Sequence, residues 1–286
     1  MEEIAFHKYS GAGNEFIITF DPLSLNSIPL LCDRHVGIGA DGLILLESST
    51  CADYRMRIFN CDGSEASMCG NGLRCVGAHI MKLGVKKEEC TIETPKDPLL
   101  KIHRCANQGK KIFAEMGAPI EIALGKELFC EGERISYDFV NTGTPHALLS
   151  VNDVKSVSLP SMGAKIRFSP DFLPEGVNVN FATLKDQGII ALRTYEKGVE
   201  NETPACGSGA VAAALCFALR YSLPSPIDVE VTSGEKLIVT FVFENNRFSQ
   251  VGLIGSADYL HSGEFPLGII SLGNYSPWEL SIFKLE

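Results

Sequence analysis

Apolar and polar residues alternate in short runs along most of the chain. Residues 3–9, 16–20, 55–59, 99–103 and 111–115 read as strands separated by turn residues, and 189–195, 227–232 and 236–243 continue the pattern in the second half. Two segments break the two-residue period. Over 71–83, Leu73, Val76 and Ile80 recur at helical spacing ahead of Gly84, and over 209–221 the chain is apolar almost all round ahead of Pro224. The first predicts an amphipathic helix and the second a helix buried on every side. Many strands with one prominent helix per half predict an α/β (α+β) protein, unlike the regular alternation of a doubly wound parallel fold.

The two helices share a beginning. SMCGNGLRCVGA from Ser67 and TPACGSGAVAAA from Thr203 each place a Cys-Gly-x-Gly turn at the helix start, with Cys69 and Cys206 about half a chain apart. The echo predicts a duplicated domain, with residues 1–120 as one half, 121–259 as the other, and a boundary within 118–126.

The length, 286 residues, leaves room for about two domains. With 35 acidic and 25 basic side chains the net charge is -10, which argues against nucleic acid or an anionic membrane as partner. The apolar run 210–219 is too short to span a bilayer. The opening MEEIAFHKYS lacks the basic flank and apolar stretch of an export signal, so a cytoplasmic location and reduced thiols are expected. Of the 10 cysteines the closest pair, Cys69 and Cys75, is too widely spaced for a zinc site, so no metal is expected. The eight cysteines other than Cys69 and Cys206 read as small buried hydrophobes.

A cysteine at the mouth of a helix faces backbone N–H groups and the positive end of the dipole, so its thiol ionises more readily. The glycines at 70, 72, 207 and 209 read as gaps where a ligand approaches the backbone, with the helix amides as an anion site. One such turn is an ordinary tight turn. Two, in facing halves, suit stereoinversion at an acidic carbon: one thiolate removes a proton from one face and the other thiol returns one to the opposite face. The helix termini would stabilise the developing enolate-like charge.

In these residues the chain resembles the diaminopimelate epimerase family. The motifs run in family order: YSGAGNEF from Tyr9, CDRHVGIGADG from Cys32, IFNCDGSEASMCGNGLRC from Ile58, TPH from Thr144, VNVNF from Val177 and RTYEKGVENETPACGSGA from Arg193. The resemblance implies two pseudosymmetric domains, each a curved, largely antiparallel sheet around a central helix, with the active site in the cleft between. The first half would be completed by the chain from about 260. It implies Cys69 and Cys206 as the acid/base pair and the amides around Gly70, Asn71, Gly207 and Ser208 as holders of the reacting carboxylate. Asn14, Asn60, Asn178 and Glu196 would line the pocket around the other end of the substrate. The implied reaction needs no cofactor, interconverts LL- and meso-diaminopimelate, and feeds lysine and peptidoglycan synthesis.

Two positions depart from the family pattern. Thr144 stands where the family has Asn, and Lys197 follows Glu196 where the family has Arg, both on the far-end side of the pocket. An ammonium cannot reproduce a bidentate guanidinium grip. The loop between Glu196 and Cys206 is also one residue longer, with Glu200 and Asn201 in place of a glycine. These changes keep a broader amino-acid racemase open, glutamate being the first candidate. Other readings are a proline-racemase-like isomerase, a redox switch joining Cys69 and Cys206, and a module that binds an amino acid without turnover. Asn14 and Asn60 also read as turn caps and Glu196 as a strand-end charge. His146 reads as a residue that orients or polarises the site from behind its lining, or as a structural one, and His35 as a packing one. Residues 267–286, with Trp278 and Phe283, form an extension that could dock on a domain or on the other subunit of a homodimer.

Overall fold

The computed structural model describes residues 3–85, 87–95, 97, 99–104, 111–130 and 132–266. The chain divides into two compact units, one holding the chain up to Ile102 and from Ala257, the other running from His103 to Ser256. In the first lie β1 (Glu3–Gly11), β2 (Asn14–Thr19), α1 (Ile28–Cys32), β3 (Gly42–Glu47), β4 (Tyr54–Asn60), β5 (Glu65–Ala66), α2 (Gly70–Lys82) and β6 (Glu89–Glu93); the division falls inside β7 (Leu100–Arg104). The second has β8 (Ile112–Glu115), β9 (Glu121–Cys130), β10 (Glu133–Asn141), β11 (Pro145–Ser150), α3 (Leu159–Arg167), β12 (Asn178–Leu184), β13 (Ile190–Glu196), β14 (Asn201–Glu202), α4 (Gly207–Tyr221), β15 (Ile227–Glu230), β16 (Lys236–Glu244) and β17 (Arg247–Gly255). Last, β18 (Asp258–Pro266) returns to the first unit.

Both units repeat one pairing scheme. In the first, β18 runs antiparallel to β1, β1 antiparallel to β2, β2 parallel to β3 and β3 antiparallel to β4, which also carries β5 antiparallel and β6 parallel. In the second, β9, β10, β11, β12 and β13 follow with the same senses, and β13 carries β14 antiparallel and β15 parallel. There the sheet continues antiparallel through β16 and β17 to β8. The register fixes equivalent positions. Gly42 pairs with Phe16 and Asn60 as Asn178 pairs with His146, and Ile44 faces Ile58 as Asn180 faces Thr194.

Side chains alternate between two covered faces. In the first unit Ile17, Leu43, Leu45 and Phe59 pack with Ile28 and Leu31 of α1. In the second, Ala147, Leu149, Val179, Phe181 and Tyr195 pack with Leu159 and Ile166 of α3. The other faces meet α2 and α4. The expected all-round burial of α4 holds from Gly209 to Phe217, because strands from β10 to β17 contact it.

Gly72 and Gly209 correct the reading of the turn glycines. A Cβ at 72 would lie 2.9 Å from Ile58 Cδ1 and 3.1 Å from Ile44 Cδ1, and one at 209 would lie 2.6 Å from Asn180 Oδ1. These glycines let the helix touch its sheet; they do not clear room for a ligand. The boundary also differs from 118–126. Residues 112–115 pair with β17 and so belong to the second unit, which takes the division back to Ile102. The chain returns to the first unit at Ala257, and the 267–286 extension lies outside the described residues.

The two glycines should respond differently to alanine. Gly72→Ala meets mobile isoleucine tips and gains about 1 kcal/mol of helix propensity, so its unfolding free energy should stay within about 1 kcal/mol of wild type. Gly209→Ala displaces a hydrogen-bonded amide and should cost about 1–3 kcal/mol in urea denaturation. Equal losses would contradict the packing assigned to the two turns.

Candidate functional site

In the first unit Cys69 is the N-cap of α2, with extended backbone, and its Sγ accepts the Gly72 N–H at 3.5 Å. Sulfur takes the place that serine or aspartate fills in most caps, where a helix amide favours negative charge on it. The Asn71 side chain is buried and turned to structure: its Oδ1 accepts from Arg74 Nη2 at 2.9 Å, and Arg74 Nη1 donates to the Gly70 carbonyl. The β1–β2 hairpin lies over this turn, since a Cβ on Gly11 would come 2.9 Å from the Asn71 carbonyl oxygen. Asn14, paired with Gly11, is therefore carried toward the start of α2. Asn60 is exposed and caps the turn into β5, its Nδ2 donating to Ser64 Oγ at 3.0 Å.

Sequence reasoning missed a charged network inside the first two motifs. The Glu15 carboxylate accepts from Lys8 at 2.9 Å and Arg34 at 2.8 Å, and Arg34 also reaches Asp41 at 2.8 Å. It fastens the hairpin to the loop before β3. His35, expected to pack, is exposed, because Asp33 Oδ1 turns the backbone there outward by accepting from His35 and Val36 amides.

In the second unit Cys206 is the N-cap of α4, buried, with its Sγ 3.5 Å from Ser208 Oγ. Under it, the alternation of VNVNF turns Asn178 and Asn180 to the same face, toward α4. Asn178 is buried and both ends of its amide are hydrogen-bonded. Nδ2 donates to Thr144 Oγ1 and to the Pro145 carbonyl, each at 3.2 Å, while Oδ1 accepts from the Lys197 N–H at 2.9 Å. The Thr144 hydroxyl and the Lys197 main chain thus meet on one side chain. The Lys197 ammonium donates to the Glu175 carbonyl at 3.1 Å. Glu196 accepts from Thr203 Oγ1 at 2.7 Å.

The loop between Glu196 and Cys206 holds Glu200 at φ 55°, in the left-handed region that favours glycine. The Glu200 carboxylate compensates by accepting from the Gly198 N–H at 3.0 Å and from Arg167 at 2.9 Å. His146 is fully buried, its Nδ1 3.0 Å from Asn180 Nδ2, and burial pushes its pKa down to about 3.

The remaining cysteines divide. Cys32, Cys75, Cys90 and Cys216 are buried as expected, and burial pushes the Cys32 thiol up to about 12 and raises Cys90 and Cys216. Cys51 and Cys61 are exposed and Cys130 half-buried, against expectation, because they sit in turns or at a strand end; Cys105 lies outside the described residues. Among the described residues no three His, Cys, Asp or Glu side chains gather as a metal site, and no helix is long and apolar enough to cross a membrane.

Two domains of mixed, mostly antiparallel sheet, each with a central helix capped by cysteine, define the class. The fold matches the PhzF-family phenazine biosynthesis protein of Bacillus anthracis, with a TM-score of 0.72 and 18% identity over 93% of this chain and 100% of that one. It also matches a probable proline racemase of Agrobacterium radiobacter K84, with a TM-score of 0.72 and 18% identity over 92% and 93%. At that identity the likeness is one of fold. The profile of the diaminopimelate epimerase family matches residues 6–122 and 139–257. The diaminopimelate epimerase of Flavobacterium psychrophilum is 36% identical over 261 residues, 89% of this chain and 97% of that protein. The chain belongs to the diaminopimelate epimerase family.

The buried histidines give the protein a pH signature. His79, in the last turn of α2 with its Nδ1 3.2 Å from the Tyr9 hydroxyl, is pushed down to about 4 by burial, with His7 and Lys82 adding to the effect. Both His79 and His146 are held neutral in the fold, whereas the unfolded chain takes up protons near 6.5. Their contribution is therefore complete above pH 6.5 and is lost as pH falls toward 4 and 3. The expected loss is up to about 1.4 kcal/mol per pH unit per histidine. Urea titrations at pH 7, 6 and 5 should show it, with a shallower slope in His79→Phe; identical slopes would contradict the assignment.

Proposed function

We propose that this chain carries out the epimerase reaction of its family with Cys69 and Cys206 as the two acid/base groups. Diaminopimelate epimerase is an isomerase of lysine biosynthesis that interconverts the LL and meso forms by inverting one α-carbon. One thiolate takes the α-proton and leaves the electron pair on an enolate-like carbon; the other thiol protonates the opposite face. Thiol and thiolate end exchanged, with no net proton consumed and no cofactor in the scheme. First-turn amides at Gly70, Asn71, Gly207 and Ser208 receive the reacting carboxylate, where helix N-termini favour negative charge. Asn14, Asn60, Asn178 and Glu196 serve the rest of the substrate.

The observation that carries this reading is positional. Each cysteine caps the central helix, after the same short hairpin, in two copies of one strand scheme. A second reading concerns breadth. The Lys197 ammonium is held by a main-chain carbonyl and the Thr144 hydroxyl by Asn178, which favours a looser grip on the far end and turnover of L-glutamate as well.

Solvent deuterium uptake at the α-carbon tests both, under reducing conditions without added cofactor. Exchange with inversion is expected for LL-diaminopimelate, falling at least about a hundredfold in Cys69→Ala and in Cys206→Ala. Either variant retaining wild-type exchange would overturn the two-thiol scheme, and L-glutamate left unexchanged would overturn the second reading.

A further inference from the structure

We infer that Glu15 and Arg34 are positioning residues. With Lys8 and Asp41 they hold a strained hairpin tip down on the first turn of α2, and through it they place Asn14 and the Gly70 and Asn71 amides. What those groups hold rests on the reaction proposed above; the clamp itself rests on the geometry of the first unit.

The tip is a turn of two residues. Gly11 pairs with Asn14, leaving Ala12 at φ 58° and Gly13 at φ 91° between them. Positive φ at both central residues is what a type I′ hairpin needs, and in most such turns asparagine, aspartate or glycine supplies the first of them. Ala12 carries a Cβ in that position, so its conformation is strained and must be imposed by its surroundings. It is also buried, and beside it Gly11 has no room for a side chain: a Cβ there would come 2.9 Å from the Asn71 carbonyl oxygen and 3.1 Å from Cys75 Sγ. The hairpin therefore presses its backbone against the helix turn that carries Cys69.

The restraint converges on Glu15, directly after Asn14. The Glu15 N–H donates to Asp41 Oδ2 and the Asp41 N–H donates to the Glu15 carbonyl, each at 2.9 Å. The Glu15 carboxylate accepts from Lys8 Nζ at 2.9 Å and from Arg34 Nη1 at 2.8 Å, and Arg34 Nη2 donates to Asp41 Oδ1 at 2.8 Å. One guanidinium thus ties together the side chains of two residues already joined through their main chains, a two-armed grip that an ammonium cannot copy. A network of this kind holds better than isolated surface pairs do.

The second unit shows that the strand scheme does not demand this arrangement. Phe16 and His146 are equivalent by register, so Glu15 corresponds to Pro145 and Asn14 to Thr144. There the turn has three residues, its positive φ falls on Gly143, and it closes on local bonds: Thr142 N–H to the Thr144 carbonyl at 3.2 Å and Gly143 N–H to Asn141 Oδ1 at 2.9 Å. A strained alanine and a charged clamp occur together in one hairpin, and its counterpart has neither a left-handed alanine nor a carboxylate at the clamp position.

The test combines steady-state epimerase kinetics with hydrogen exchange of the full-length protein, read by mass spectrometry on peptides covering 9–16 and 68–74. Arg34→Gln should lower kcat/KM for LL-diaminopimelate about tenfold, the loss expected for hydrogen bonds to charged groups, and speed exchange in both peptides. Ala12→Gly alone should stay within about twofold of wild type, because glycine holds a positive φ without strain. Added to Arg34→Gln, it should restore most of the lost activity and slow exchange over 68–74 again; a merely structural surface contact would show no such coupling. If Arg34→Gln fails to fold, Glu15→Gln with and without Ala12→Gly decides in the same way. Wild-type kcat/KM in Arg34→Gln, unchanged exchange over 68–74, or no rescue by Ala12→Gly would overturn the inference. Absence of epimerase turnover in wild type would instead sink the reaction reading, and hydrogen exchange would still decide the clamp.

Discussion

The first turn of each central helix lies on its sheet with no helix side chain between them, at Gly72 in one unit and Gly209 in the other. That close approach sets the height of the helix N-terminus above the strand ends. In each unit the capping sulfur and the first-turn amides are held in place by it. Any larger residue would lift the helix or push aside what lies beneath it. The energetic logic is that of a packed interior, where a single methyl group is felt.

Two copies of one strand scheme make the differences between them informative. The first unit places isoleucines beneath the start of its helix and a network of Lys8, Glu15, Arg34 and Asp41 in the hairpin and the loop before β3. The second buries the polar side chains of Asn180 and Thr194 beneath its helix, bonded to one another. Asn178 beside them has Thr144, Pro145 and Lys197 as partners. A buried amide so engaged acts as a fixed part of the wall, and its neighbours inherit its position.

Much of this was legible in the chain. The helical spacing of Leu73, Val76 and Ile80, the all-apolar run before Pro224 and the twin Cys-Gly-x-Gly turns placed both helices and both caps to within about two residues, the usual uncertainty of helix ends. β3 was not read, because GLILLE is buried on both faces and shows no alternation. α3 was missed because proline, serine and glycine dilute its apolar face. The role of Gly72 depends on Ile44 and Ile58, which only the sheet register brings beneath it. The boundary failed for a related reason: a strand at 112–115 that pairs with residues near 253 carries no local mark of its partner. The partners of Asn178 were not legible either, because residue type reveals capacity for hydrogen bonds, whereas Thr144 and Pro145 lie more than thirty residues away in the chain.

The order in which the chain is made bears on how it closes. β1 is paired on one side by β2, close in sequence, and on the other by β18, which begins at Asp258. During synthesis the whole of 103–256 emerges before that partner strand does. The inserted unit can therefore mature while the first still presents an open strand edge with Ile4 and Phe6 beside it. An unpaired edge of that kind is where a nascent chain is most exposed to wrong partners. Among the described residues β18 is thus both the last part of the sheet to arrive and the protection for the first part made.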